Sequence, residues 1–131
     1  MSKIYDFLTE AKFFFIATND GDQPKLRPFG SHIEMDGKIM FAVGDQKAVY
    51  KQMLANPLCE IAACKPDGVW LRYTGKIVFD DEPEYLEAMY ATSPLLKEIY
   101  NEKTGFKMKI FHLEDATAFI MPPIGEPEKL L

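Results

Sequence analysis

The chain has 131 residues, 47% apolar and 27% charged, with a net charge of −5. That size suits one domain with its own core, so residues 1–131 are expected to form a single unit. The composition excludes a disordered chain, the acidic balance argues against a broad nucleic-acid surface, and no apolar run approaches the ~20 residues of a membrane-spanning helix. The N-terminus, Met1-Ser2-Lys3-Ile4-Tyr5-Asp6, does not read as a signal peptide. Ser2 to Ala11 places Ile4, Phe7, Leu8 and Ala11 on one helical stripe behind a serine cap. Phe13 to Thr18 reads as a buried strand closed by the turn Asn19-Asp20-Gly21-Asp22. Lys25 to Glu34 is extended, and Asp36-Gly37 turns it into a strand over Lys38 to Val43. Gln46 to Ala55 is a helix stopped by Asn56-Pro57. Strands over Leu58 to Cys64 and Val69 to Phe79 follow, joined at Lys65-Pro66-Asp67-Gly68. Asp80 to about Tyr100 is helical with an interruption near Ser93-Pro94. Phe106 to Leu113 and Ala116 to Met121 read as two closing strands, and the proline-rich tail is expected to be loosely held. Cys59 and Cys64 fall five apart on one strand, on opposite faces, so they read as free thiols of a reducing compartment, by default the cytoplasm.

This order predicts a mostly β fold with short helices, its antiparallel sheet closing on itself. Three segments carry chemistry. In Arg27-Pro28-Phe29-Gly30-Ser31-His32, proline and glycine break the ladder and leave smooth main chain against which a flat aromatic ligand can lie; an edge strand with a bulge is the other reading. In Val43-Gly44-Asp45-Gln46-Lys47 a strand runs into a helix start, a ready phosphate site. Lys47 is unfavourable there without a nearby anion, and Arg27 is expected to approach it across the sheet, unless Asp45 is a plain cap and Lys47 solvated. The third segment centres on Trp70, with large side chains on both faces of its strand, as for a strand between a core and a ligand or partner subunit; a core tryptophan fits equally. His32 adjoins the expected ring site and is the nearest candidate proton donor, with a structural histidine as the alternative. His112 reads as structural, and no His, Cys and carboxylate spacing suggests a metal site.

These pieces, in this order, resemble the FMN-binding split-barrel family related to pyridoxamine 5'-phosphate oxidase. The likeness covers Phe13 to Phe79 and continues more weakly to the end. It implies a six-stranded antiparallel split β-barrel and a homodimer with FMN at the interface. Carried over by position, Arg27 and Lys47 hold the phosphate. Pro28, Phe29, Gly30 and Ser31 lie along the flavin, with Ala42 and Val43 on the next strand. Gln46 stands where the oxidase has a second arginine, and Trp70 where it has a glutamine that reaches the cofactor from the other subunit. His32 replaces a substrate-binding lysine, and the substrate-gripping Arg- and His-containing segment of the oxidase is not seen before Leu131. The expectation is therefore a flavin-dependent oxidoreductase of the small oxidase-related branch, which includes flavin reductases and nitroimidazole-resistance-type reductases, and not a true oxidase. A non-catalytic flavin carrier, or a haem binder using His32 or His112, is the alternative.

Overall fold

The structure, a computed structural model, describes residues 2–131. Helix α1 (Lys3–Ala11) starts where the Ser2 hydroxyl accepts from the Tyr5 N–H, and it buries Ile4, Phe7 and Leu8. Strands β1 (Phe14–Asp20), β2 (Gln23–Phe29), β3 (His32–Met35) and β4 (Lys38–Gly44) follow, then α2 (Ala48–Ala55), β5 (Leu58–Cys64) and β6 (Trp70–Phe79). Helices α3 (Pro83–Tyr90) and α4 (Pro94–Ile99) precede β7 (Met108–Met121) and the short β8 (Glu128–Lys129). Ser93 makes the break between α3 and α4, its side chain accepting from the Leu95 N–H.

Every strand pairing is antiparallel, and the hydrogen-bonded order is β2-β1-β5-β6-β7-β4-β3. The two edges, β2 and β3, are successive parts of one extended stretch interrupted only by Gly30 and Ser31. Three residue steps from Phe29 to His32 span at most about 11 Å. The sheet must therefore curl until its edges approach one another, which makes a barrel split at Gly30-Ser31. Counting β2 and β3 as one interrupted strand, and β8 as an addition to β7, gives the six strands expected from the sequence.

Three local expectations need correction. The single extended stretch over 25–34 is two strands on opposite edges. The two closing strands are one, since β7 continues through Asp115, which takes a positive φ of 50°. Opposite it, the β6 register shifts between Thr74 and Lys76. Gly75 sits in that bulge, and a Cβ there would stand 3.0 Å from Leu113 Cβ and 3.1 Å from the Glu114 carbonyl. Neither neighbour is a flexible side-chain end, so Gly75→Ala is expected to cost about 1–3 kcal/mol as overpacking, read as a lower urea midpoint at unchanged slope. The tail is also tied rather than loose: Leu130 N–H donates to the Ala118 carbonyl at 2.8 Å, and Ala118 N–H to that of Leu131 at 3.0 Å. The second half of β7 leaves an edge free for the tail to pair with.

The interior is filled by alternate residues of the strands, among them Phe14, Ile16, Phe41, Ile61, Leu71 and Phe111, with α1 and α2 contributing Leu8 and Met53. A second apolar layer lies where α3 and α4 cover β3, β4 and β7, built from Ile33, Met40, Tyr85, Met89 and Ile110. Cys59 is buried and Cys64 exposed, both free; burial pushes the Cys59 thiol up to about 12. No helix among the described residues is long and apolar enough to cross a membrane.

Candidate functional site

Arg27 pairs with Ile16 across β1 and β2, and so shares the inward face of the barrel at its α2 end. Its guanidinium donates from Nη1 to the Thr18 hydroxyl at 2.7 Å and the Ile16 carbonyl at 3.2 Å, and from Nη2 to Gln52 Oε1 at 2.8 Å. The Thr18 hydroxyl also donates to Gln52 Oε1 at 2.8 Å. All these acceptors are neutral, and no carboxylate stands within ion-pair distance of Arg27 among the described residues. Desolvation lowers its pKa from the ordinary arginine value, but an arginine remains charged at neutral pH. A half-buried cation held in place without a counter-charge favours an anion in the space it faces.

Lys47 is the N-cap of α2, in extended conformation and with no side-chain cap bond. It is exposed, and the first turn of the helix carries no acidic residue. Asp45, the candidate cap, faces elsewhere: its carboxylate accepts from the Lys107 N–H at 2.9 Å, and its own N–H donates to the Lys107 carbonyl at 2.9 Å. The helix start therefore keeps its partial positive charge uncompensated, with a lysine beside it.

Arg27 and Lys47 line the same cavity, of about 230 Å³. Pro28, Phe29, Gly30 and Ser31 form one side, Ala42 and Val43 another, and Tyr100 and α4 close it. Within the chain nothing demands a glycine at position 30: a Cβ there would meet only Phe13 Cδ1 at 3.9 Å and the Lys12 carbonyl at 4.0 Å, ordinary contacts. The bare backbone at Gly30 is thus open toward whatever covers it.

Of the residues assigned to the site from sequence, Gln46 and Trp70 stand apart from this wall. The Gln46 side chain lies over Gly44 against Tyr100, and its hydrogen bond there opposes the rise that burial imposes on the tyrosine hydroxyl. Trp70 sits half-buried on β6 with the Arg72 guanidinium 4.9 Å from its ring centre, on the outer face of the barrel. Sequence reasoning missed Thr18 and Gln52, which orient Arg27; the signal was a hydroxyl within a buried apolar strand. It also missed Tyr100, whose hydroxyl would stand 2.6 Å from a Cβ at Gly44, a fit that no spacing in the sequence announces.

His32 is engaged through both ring nitrogens, His112 through one. His32 Nδ1 lies 3.0 Å from the Gly30 carbonyl and Nε2 3.0 Å from the Thr9 hydroxyl, with the ring edge-on to Phe14. His112 is buried, with Nε2 3.0 Å from Glu114. Among the described residues no group of His, Cys, Asp or Glu is arranged to hold a metal ion.

A curled antiparallel barrel with two cations at one mouth, beside exposed main chain, is a small barrel domain of the split-barrel class. The sequence profile of the pyridoxamine 5'-phosphate oxidase family matches residues 1–118, and the chain belongs to that family. Among solved structures it is similar to a NimC/NimA family protein from Clostridium acetobutylicum, with 34% identity over 98% of this chain and 89% of that one, at a TM-score of 0.88. A pyridoxamine 5'-phosphate oxidase-related, FMN-binding protein from Nostoc punctiforme shares the fold at 14% identity and TM-score 0.61, over 89% of this chain and 82% of that one. So does a haem-binding protein from Mycobacterium smegmatis, at 13% identity and TM-score 0.72, over 94% of this chain and 54% of the other. No curated protein matches in sequence.

Proposed function

We propose that this protein binds FMN in the Arg27–Lys47 cavity, as a cytoplasmic homodimer, and works as a flavin-dependent oxidoreductase. The observation that carries the reading is the half-buried Arg27, oriented by Thr18 and Gln52 without a carboxylate partner, in one cavity with Lys47. A phosphate there receives a two-toothed guanidinium contact, the Lys47 ammonium and the α2 dipole together. The Pro28–Ser31 main chain then lies along the ring system, with Gly30 offering no side chain against it. FMN when bound supplies hydride and single-electron transfer; the chain orients it and shields it from water. His32, with both ring nitrogens engaged, serves the fold, and no general acid or base is assigned.

Haem is the weaker fit. An axial histidine needs a free nitrogen facing open space; His32 has neither nitrogen free, and the one unpartnered nitrogen of His112, Nδ1, is buried. The cavity, at about 230 Å³, falls below the ~300–1,000 Å³ of a complete small-molecule site, which suits a pocket whose other wall is a second subunit. The outer face beside it is apolar: Phe13 and Leu26 are each 67% exposed, and Phe15 and Leu58 about half. In a dimer through that face, Trp70 reaches the cofactor from the partner.

Titration of the flavin-free protein with FMN and with riboflavin tests the anion site. FMN is expected to bind at least tenfold more tightly, since only it carries the phosphate and charge-assisted hydrogen bonds contribute about 1.5–3 kcal/mol each. Equal affinities overturn the assignment. Bleaching of the bound flavin by a reduced nicotinamide, followed by turnover with an acceptor, distinguishes an enzyme from a carrier.

A further inference from the structure

Gly44 ends β4 without a positive φ, so the backbone itself does not call for a glycine. Its neighbours do. A Cβ there would stand 2.6 Å from the Tyr100 hydroxyl and 2.8 Å from the ring Cε1, and it would strike the Gln46 side chain. These gaps are well inside van der Waals contact, so only glycine leaves the phenol its seat. The Lys47 N–H donates to the Gly44 carbonyl at 3.2 Å, which puts that seat at the turn leading into α2.

Tyr100 is held there from several sides. Its N–H donates to the Leu96 carbonyl at 2.9 Å, and its own carbonyl accepts from the Tyr90 hydroxyl at 3.2 Å. It is only 8% exposed, yet it lines the Arg27–Lys47 cavity beside Gly44. The polar side chains of that wall are Arg27, Ser31, Lys47 and Tyr100, and its other side chains are apolar. Burial raises the hydroxyl above the ordinary tyrosine value, against the opposing Gln46 bond and with the Asp45 charge, so it stays protonated and able to donate at neutral pH. The Asp45 carboxylate is itself occupied by the Lys107 N–H at 2.9 Å. A side-chain amide has a donor end and an acceptor end. With the Gln46 N–H turned to the phenol oxygen, the phenolic proton is free for a third party.

We propose that Tyr100 is a third contact for the phosphate, a neutral O–H donor that adds to the charges of Arg27 and Lys47, with Gln46 as its positioning residue. The proposal rests on the flavin reading above. In it Gln46, standing where the oxidase has a second arginine, acts on the anion through the phenol. The tyrosine is already fixed by its neighbours, so little freedom is lost when the anion arrives.

Tyr100→Phe keeps the ring and removes only the O–H. Titrated into the flavin-free full chain, FMN is expected to bind this variant about tenfold more weakly, the effect of one hydrogen bond to a charged group. Riboflavin should bind it as it binds the wild type. A hydroxyl carries no charge to be screened, so the Tyr100→Phe factor should persist at raised salt, whereas that of Lys47→Ala should shrink. Gln46→Leu should give a smaller loss, again for FMN alone. Unchanged FMN affinity in Tyr100→Phe, or equal losses for the two flavins, would overturn the proposal, the second by showing the ring to be a plain wall. The two readings fail separately: a wild type that does not prefer FMN ends the anion site itself, while a preference kept in full by Tyr100→Phe ends only the role of the phenol. If the variant does not fold, inorganic phosphate titrated into wild-type protein carrying ¹³C at the tyrosine Cζ decides. A saturable shift of the Tyr100 signal is expected, and none overturns the assignment.

Discussion

Replacing Arg27 by alanine is expected to weaken FMN binding by about 1.5–3 kcal/mol, roughly 10- to 150-fold. The guanidinium is already oriented: Thr18 and Gln52 hold both terminal nitrogens at 2.7–2.8 Å. Little side-chain freedom remains to be lost when an anion arrives, so most of the interaction appears as affinity. The variant should nevertheless fold. Removing Arg27 takes away a cation that no carboxylate balances, and the Thr18–Gln52 hydrogen bond at 2.8 Å survives without it. Flavin affinity should therefore drop while the thermal midpoint of the flavin-free protein shifts little. Thr18→Val separates orientation from charge: the arginine remains but loses its shortest contact, and a smaller loss than for Arg27→Ala is expected. Lys47→Ala is also expected to be milder and strongly salt-dependent, because Lys47 is exposed and its charge is screened. A full-affinity Arg27→Ala protein would mean that the phosphate, or the flavin itself, binds elsewhere.

That pairing of a strand arginine with a helix-leading lysine was legible because both residues are locally anomalous. Arg27 sits between residues that spoil a strand, and Lys47 stands at a helix end whose dipole opposes it. The barrel was legible for a related reason: turn residues such as Asp36-Gly37 punctuate runs of alternating side chains. Other features depend on distant contacts. The continuity of β7 past Asp115 requires the bulge at Gly75, forty residues away, and neither segment announces the other. Tyr100 reaches the cavity because α4 folds back over Gly44, a packing event that periodicity does not encode. Gln46 was placed on the cofactor by position in the family pattern, yet its amide finds Tyr100 first. The tail was misjudged because proline-rich composition speaks for local looseness, whereas the free edge of β7 gives it partners.

Introducing charge on the outer face of β1 and β2 is expected to dissociate the dimer and to weaken flavin binding with it. Register places Phe15 between Pro28 on β2 and Ala62 on β5, and Ala17 between Leu26 and Glu60, so an apolar surface runs over β1 and β2 up to the Glu60–Arg72 ion pair. Their alternates, Phe14 and Ile16, fill the core, while Phe15 and Leu26 of the outward set stay exposed. A monomer seldom exposes such a contiguous patch without use for it. In the double variant Phe15→Glu/Leu26→Glu, two carboxylates must be desolvated on each subunit, at several kcal/mol per ion. An increase of at least a thousandfold in the dimer dissociation constant follows. Sedimentation should then show a species near the 15.0 kDa of one chain in place of one twice as heavy. Ile124 provides the control: it is 93% exposed and outside β1 and β2, so Ile124→Glu should leave the assembly alone. Because Arg27 and Lys47 belong to one subunit, the monomeric variant keeps its phosphate contacts and loses only the wall against the ring. Its affinity should fall for FMN and riboflavin by similar factors, whereas Arg27→Ala should penalise FMN alone. A wild-type chain that sediments as a monomer while holding one flavin would show that this apolar face serves some other partner.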